Sequence, residues 1–213
     1  MTDSINAADA LASEWDERYT SLAEKIPDGK PSGVLTTAVE HLVPGRALDI
    51  GCGVGADAIW LAGRGWTVTA LDVSQVALDR AAARSRAAGI HVEWVCTRLE
   101  DAQLPARGFH LVVAHYPALR QSPGHEAEKA LLAAVAPGGA LLVVHHANID
   151  PEMARSHGFD IADFVSHEDI VEMLGDDWDV RMERQRPRDE PTGPEGQHTH
   201  DDVVHARRRG VAE

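Results

Sequence analysis

Two groups of residues in this chain have the types and spacing to do chemistry. The first is Asp49-Ile50-Gly51-Cys52-Gly53-Val54-Gly55, followed about twenty residues later by Asp72. A turn without side chains lets a ligand approach main-chain N–H groups closely. An acid at the tip of the next strand can accept hydrogen bonds from both hydroxyls of a ribose. Together they describe a pocket for an adenosine-containing cofactor. Gly51 to Ala56 also satisfies the G-x-G-x-x-G/A pattern of dinucleotide binding. Asp49 separates the two cofactor classes. Its carboxylate, two residues ahead of the first glycine, would repel a pyrophosphate but suits a positively charged sulfonium-amino acid cofactor.

The second group is His115, His145 and His146, each closing an apolar run. Histidine's ordinary pKa near 6.5 suits a general base at neutral pH. Transfer of a carbon group from a sulfonium is an in-line displacement that places the acceptor atom about 3 Å from the carbon transferred. A thiolate or selenolate acceptor needs little beyond positioning, whereas a hydroxyl needs a base or a metal to take its proton. Adjacent strand residues point to opposite faces, so one of His145 and His146 should see the acceptor. Tyr116 lines that pocket or donates a hydrogen bond in it. His145, His146, Asp150, His198, His200 and Asp201 offer nitrogen and oxygen ligands, but their spacing matches no metal motif and none is assigned as a ligand. A Mg²⁺ ion assisting a polyhydroxylated acceptor stays compatible with the sequence, without a motif to support it.

The elements that position these residues follow from hydropathy and breakers. Leu11, Trp15, Tyr19 and Leu22 fall on one helical face within Asn6–Ile26, and Gly33–Leu42 is a second helix ahead of Pro44-Gly45. Strands are then expected at Ala47–Ile50, Thr67–Leu71, His91–Cys96, Leu111–Ala114 and Ala140–His145, with helices at Ala56–Arg64, Gln75–Ala88 and Glu126–Val135 between them. Such alternation implies a parallel sheet covered on both faces. Ser166-His167-Glu168-Asp169 caps a further helix running to about Leu174. Trp178–Glu183 alternates as a half-buried strand does, and His200–Ala206 reads as a last strand. Arg186–Gln197, rich in Pro, Gly and charge, reads as a mobile loop joining an antiparallel hairpin. The expected fold is therefore α/β: a Rossmann-like seven-stranded sheet, mostly parallel, with a C-terminal antiparallel hairpin.

Composition narrows the partners. The 213 residues carry a formal net charge of −14, with no basic run before Arg207-Arg208-Arg209. This argues against a nucleic acid or a membrane surface and for a small-molecule acceptor, handled by a monomer or homodimer. Cys52 and Cys96 make no disulfide framework and read as reduced, buried thiols of a cytoplasmic protein. No secretory leader or spanning segment is read in the chain. The length fits one domain, 1–213, with a helical lid at 1–43, a cofactor-binding core at 44–147 and an acceptor-side region with the hairpin at 148–213.

These motifs resemble the class I methyltransferases that use S-adenosyl-L-methionine (SAM) and release S-adenosyl-L-homocysteine, and within them the tellurite-resistance/thiopurine methyltransferase-like group. Trp15-Asp16-Glu17-Arg18-Tyr19 resembles its N-terminal signature, Pro44 to Gly53 its first motif, Leu71-Asp72-Val73-Ser74 its second, and Pro137-Gly138-Gly139 the turn before strand five. The resemblance implies that Asp49, Gly51 and Gly53 flank the methionyl part of SAM. It implies that Asp72 holds the ribose, that Val73 packs on the adenine, and that Trp15, Arg18 and Tyr19 cover the methionine end. One position departs: Arg98 stands where an acid usually reads the adenine amino group, and arginine has no acceptor. Adenine recognition then falls to the Leu99 backbone with Glu100 or Asp101. His110, where an Asp commonly precedes strand four, reads as structural. The resemblance also keeps a thiol or chalcogen oxyanion open as acceptor. The His- and Asp-rich loops, with an aromatic content of 5%, favour a polar hydroxylated acceptor such as a sugar or hydroxy acid. A non-catalytic SAM sensor and a nicotinamide-dependent dehydrogenase are the remaining alternatives, the last disfavoured by Asp49 and the hairpin.

Overall fold

The computed structural model describes residues 2–21, 29–156, 159–192 and 198–210. Contacts divide the chain into two compact units, with the boundary after Gln103. The N-terminal unit begins with α1 (Thr2–Ser21) and α2 (Gly33–Val39). The rest of the helix expected to Ile26 lies outside the described residues. Then follow β1 (Arg46–Ile50), α3 (Ala56–Ala62), β2 (Thr67–Asp72), α4 (Gln75–Ala87) and β3 (Glu93–Cys96). Ala47 to Ile50 are all buried, as a strand covered on both faces requires. β1 pairs with β2 in parallel, Ile50 opposite Leu71, and β2 pairs with β3, Asp72 opposite Cys96. The acids and glycines of the first motif thus gather at strand ends. Cys96 is exposed rather than buried, because β3 is an edge strand with one neighbour.

The C-terminal unit contains β4 (Phe109–His115), α5 (Glu126–Ala134), β5 (Val135–His146), α6 (Pro151–Ser156), α7 (His167–Met173), β6 (Trp178–Thr192) and β7 (His198–Arg208). β4 and β5 are parallel, but their register jumps from Phe109↔Val135 to Leu111↔Ala140, which leaves the Pro137-Gly138-Gly139 turn as an excursion within β5. β7 pairs antiparallel with both β5 and β6. α7 starts at the expected capping box, with Ser166 and Asp169 bonded reciprocally. The full sheet has the order β3-β2-β1-β4-β5-β7-β6. It is the seven-stranded, mostly parallel sheet with a terminal antiparallel pair that the alternation predicts.

One expectation is corrected here. Residues 186–192 are not loop but the second half of β6, which runs to Thr192. Local composition disfavours a strand there, and cross-strand bonds to β7 override it. The ladder carries a bulge: Glu183 lies opposite Val203, but Arg186, not Gln185, lies opposite Asp201. Gln185 takes the left-handed conformation at φ 52°. Its N–H donates to Asp202 Oδ1 at 2.7 Å. The extra residue reverses the facing of all that follows, since side chains alternate with a period of two. Arg186 and Arg188 therefore fall on the face that carries Asp201.

α1 is fastened by a single carboxylate. Asp16 Oδ1 accepts from Ser74 Oγ at 2.6 Å and from the Val76 N–H at 3.1 Å. Ser74 is itself the N-cap of α4 and accepts from the Ala77 N–H. Asp16 thus completes the cap of α4 from another helix and places a negative charge at the positive end of its dipole. We expect Asp16→Ala to destabilise the chain by about 1–2 kcal/mol and to raise amide hydrogen exchange across α1 more than across β1. Unchanged exchange in α1 would show that its apolar face alone holds it.

Candidate functional site

The first cluster lies wholly in the N-terminal unit. β1 ends in a turn whose three glycines are all left-handed: Gly51 at φ 67°, Gly53 at φ 53° and Gly55 at φ 76°. Only glycine accepts this series without strain. The turn is held at several points. Cys52 N–H donates to the Leu71 carbonyl at 2.9 Å, Gly55 N–H to the Cys52 carbonyl at 2.9 Å, and Arg84 Nη1 to the Val54 carbonyl at 2.6 Å. Asp72 supplies the central tie: Oδ2 accepts from the Gly53 N–H at 2.8 Å and Oδ1 from the Ser74 N–H at 2.9 Å. Burial pushes its pKa above the ordinary carboxylate value, and the N–H groups of Ser74, Gly53 and Val73 oppose that rise. A carboxylate has about four acceptor sites, so Asp72 keeps acceptor capacity beyond the N–H groups that hold the turn.

Asp49 is 3% exposed, and its Oδ2 is buried without a hydrogen-bond partner. Burial, then Asp57 and Asp72, hold its pKa well above the usual range, with the Ala58 N–H working the other way. An orphaned buried carboxylate oxygen beside a second acid is costly. A nearby positive charge relieves it and a phosphate aggravates it. This fits a sulfonium-bearing cofactor and counts against a dinucleotide. Over the turn lies α1. Tyr19 is so close that a Cβ built on Gly53 would sit 2.6 Å from its Oη. Trp15 and Tyr19 have ring centroids 6.1 Å apart, and the Arg18 guanidinium lies 5.2 Å from the Trp15 ring. Burial, then Asp72 and Cys52, raise the Tyr19 pKa, so the phenol stays protonated.

At the departing position, Arg98 is occupied by its own neighbours. Its Nε and Nη2 bond Asp101 Oδ2 at 2.7 Å, and Nη1 lies 3.4 Å from Glu100 Oε1. Leu99 is buried in a single turn of 3-10 helix, Leu99–Asp101. The arginine that replaces the usual acid is thereby neutralised. Val73 precedes the cap of α4, and its carbonyl lies 3.5 Å from Cys96 Sγ.

The second cluster lies wholly in the C-terminal unit, at the carboxyl ends of β4 and β5, and the antiparallel register with β7 assembles it. His146 lies opposite Asp201, and His145 opposite Asp202. The adjacent histidines part as their alternation requires. His146 stacks between Tyr116 and His198, at 4.1 Å to each ring. Asp201, 3% exposed, accepts from Tyr116 Oη at 2.9 Å and from Arg188 Nη1 at 3.0 Å. The same Arg188 nitrogen donates to Tyr116 Oη at 2.6 Å and lies 3.3 Å from His146 Nδ1. Burial works to raise the Asp201 pKa, but bonds from His146 and Tyr116 and the charge of Arg188 hold it below the ordinary value. His198 is pushed down by burial and by His146 and Arg188. Tyr116 is left-handed at φ 52°, and its N–H donates to the Val144 carbonyl at 2.7 Å. His115 is half-buried with its ring 6.4 Å from that of Tyr116.

His145 points elsewhere. Its ring lies 5.9 Å from His167, and neither ring nitrogen completes a hydrogen bond. Burial, then the charge of His167, lowers its pKa to about 4, against a smaller opposing effect of the Val165 backbone. Of the three histidines proposed as bases from sequence, the structure sets His146 in a polar network, His115 beside it and His145 buried next to His167. Sequence reasoning gave no role to Asp16 or Arg188 and named Asp201 only among donors that match no metal motif. Arg188 had no local signal, because the bulge that turns it inward is a tertiary feature.

Residues 47–139 match a family profile described as a methyltransferase domain. An uncharacterised methyltransferase of Mycobacterium tuberculosis is 37% identical over 97 residues, 46% of this chain and 48% of that protein. The chain spans about half or less of the length of the curated relatives it matches. Two solved structures share the fold. One is the cyclase SpnF, with 19% identity, a TM-score of 0.70, and coverage of 94% of this chain and 96% of the other. The second is phosphoethanolamine N-methyltransferase 2 of Haemonchus contortus in complex with SAM, with 16% identity, a TM-score of 0.64, and coverage of 87% and 55%. The chain therefore shares the fold of these structures, and its residues 47–139 are similar to a methyltransferase domain.

Two outcomes follow from this geometry. Gly53→Ala should abolish measurable SAM binding by calorimetry, because the methyl group meets Tyr19 Oη and φ 53° disfavours any side chain. Adding Tyr19→Ala should not restore it, since the backbone strain remains. The other outcome concerns acid stability. His145 has a folded pKa of about 4, below the unfolded value near 6.5. Between these values the unfolded chain binds the extra proton, so stability is full above pH ~6.5 and falls as the pH drops toward ~4. The loss assigned to His145 is on the order of 2–3 kcal/mol. Urea denaturation of His145→Leu at pH ~4.5 and pH 7 should show a smaller pH difference than the parent by about that amount. Equal differences would refute the assignment.

Proposed function

We propose that this chain is a SAM-dependent methyltransferase that acts on a hydroxyl of a small polar acceptor, a hydroxy acid or sugar-like molecule, with His146 as general base. The orphaned Asp49 oxygen beneath the glycine turn carries the cofactor reading, because it asks for a cation. In this reading Gly51 and Gly53 give close backbone approach, and Asp72 takes the ribose hydroxyls. Val73 and Leu99 flank the adenine, with Glu100 beside them, and Trp15, Arg18 and Tyr19 cover the methionyl end. When bound, SAM supplies an electrophilic methyl group. What remains for the protein is to hold the acceptor and to remove its proton.

His146 suits that task better than its neighbours. It sits at the carboxyl end of β5, where open α/β sheets bind ligands, and it is backed by a carboxylate. His145, with its pKa lowered to about 4, is too weak a base for a hydroxyl, and His115 lies at the margin of the network. The acidic surface and polar cluster favour a small hydroxylated acceptor over a nucleic acid. In a thiol or chalcogen reading the histidine would be dispensable. The cyclase among the fold relatives supports testing turnover apart from binding.

The test is release of S-adenosyl-L-homocysteine with hydroxy acids, sugars, phenols and thiols offered in parallel. With the acceptor that turns over, His146→Ala should lower turnover by ~10²–10⁴-fold. SAM affinity should stay within about twofold, and His145→Leu should leave turnover near the parent's. Retained turnover in His146→Ala with a thiol as the sole acceptor would replace this reading with the chalcogen one. SAM binding without turnover on any class would point to a sensor.

A further inference from the structure

The contacts around His146 do more than surround it, because the donors available to Asp201 can be counted. Arg188 Nη1 carries two hydrogens and has three neighbours: Tyr116 Oη at 2.6 Å, Asp201 Oδ1 at 3.0 Å and His146 Nδ1 at 3.3 Å. The two shorter contacts take both hydrogens, and the bond to Asp201 is charge-assisted. Tyr116, which accepts from Arg188, donates its own proton to Asp201 Oδ2 at 2.9 Å. His146 Nδ1 is left 3.6 Å from Asp201 Oδ1, with no hydrogen on Arg188 Nη1 remaining for it. A lone pair on Nδ1 would face a carboxylate, and a proton there meets an acceptor.

We infer that Asp201 is a positioning residue that holds neutral His146 with its proton on Nδ1, so that Nε2 presents the lone pair that takes the acceptor's proton, while Tyr116 and Arg188 hold Asp201 in place. The inference rests on the proposed role of His146 and adds the groups that set its tautomer. The arrangement has the logic of a carboxylate-oriented imidazole: the acid fixes the ring and stabilises the imidazolium formed when Nε2 is protonated. The proton leaves the acceptor hydroxyl, ends on Nε2, and returns to solvent after product release. Stacking between Tyr116 and His198, within 21° and 9° of parallel, keeps the ring from turning about its own axis. The β6 bulge matters here too, because without that extra residue Arg188 would face away from Asp201.

The experiment is long-range nitrogen–proton NMR of the uniformly labelled full chain at a pH where His146 is neutral, without cofactor or acceptor. His146 should show a protonated Nδ1 and an unprotonated Nε2. In Asp201→Asn the ratio of the Nδ1–H to the Nε2–H form should fall about tenfold, because the negative charge 3.6 Å from Nδ1 is removed. A parent chain with His146 protonated on Nε2 overturns the inference by itself, even if Asp201→Asn does not fold. So does a ratio that Asp201→Asn leaves unchanged. The readout needs no turnover. A chain with the Nδ1–H form that transfers no methyl group would therefore support this assignment and reject only the proposed reaction.

Discussion

The hydrogen bond from the Gly53 N–H to Asp72 is the constraint on which the first cluster depends. It joins the turn after β1 to the end of β2 at 2.8 Å, between residues nineteen apart in sequence. The other Asp72 oxygen holds the N–H of Ser74, and Ser74 receives Asp16 from α1. Asp72 therefore ties turn, strand end and helix cap together, and Asp16 joins α1 to them through the same serine. The tie is buried, so loss of either partner leaves a polar group without water or partner, at a cost of about 1–3 kcal/mol. The oxygen atoms proposed to take the ribose are thus the ones that hold the turn.

The N-terminal unit also concentrates negative charge where a fold alone would not. Asp49 and Asp72 are both nearly buried, and each holds a pKa above its ordinary value. Asp72 is compensated by three backbone N–H groups, while Asp49 keeps an oxygen without one. Asp72 is thus satisfied by the backbone around it, while Asp49 keeps an unfilled acceptor. In the C-terminal unit, Asp201 is satisfied by Tyr116 and Arg188, and its surplus acceptor capacity falls on His146. Three buried acids thus have three different states, each set by the number of donors around it.

Much of the architecture was legible from local pattern. Asp49 to Gly55 followed by Asp72 announced a strand, a left-handed glycine turn and an acid at the next strand end, because only glycine tolerates that turn and the spacing is set by one helix. Ser166 and Asp169 announced the start of α7 through hydrogen bonds three residues apart. The adjacent pair His145 and His146 implied two faces, and one of them does enter the polar network. These signals are short-range, so one sequence carries them. Arg186 to Thr192 was misread for the opposite reason. Its prolines and charges favour a loop locally, and the ladder to β7 makes it a strand.

The sequence by itself determined the sheet class, the glycine turn and the acids around it, since these follow from backbone conformation and from spacing within one turn of the chain. Only the tertiary structure decided which histidine has a carboxylate behind it. Residues 116, 146, 188 and 201 come from four separate segments, and their meeting depends on the β5–β7 register and on one extra residue in β6. Register is a pairing between distant strands, and a shift of one residue turns every side chain to the other face. No local pattern encodes that parity. The difference between His145, with its lowered pKa, and His146, in its network, therefore appears only once the strands are paired.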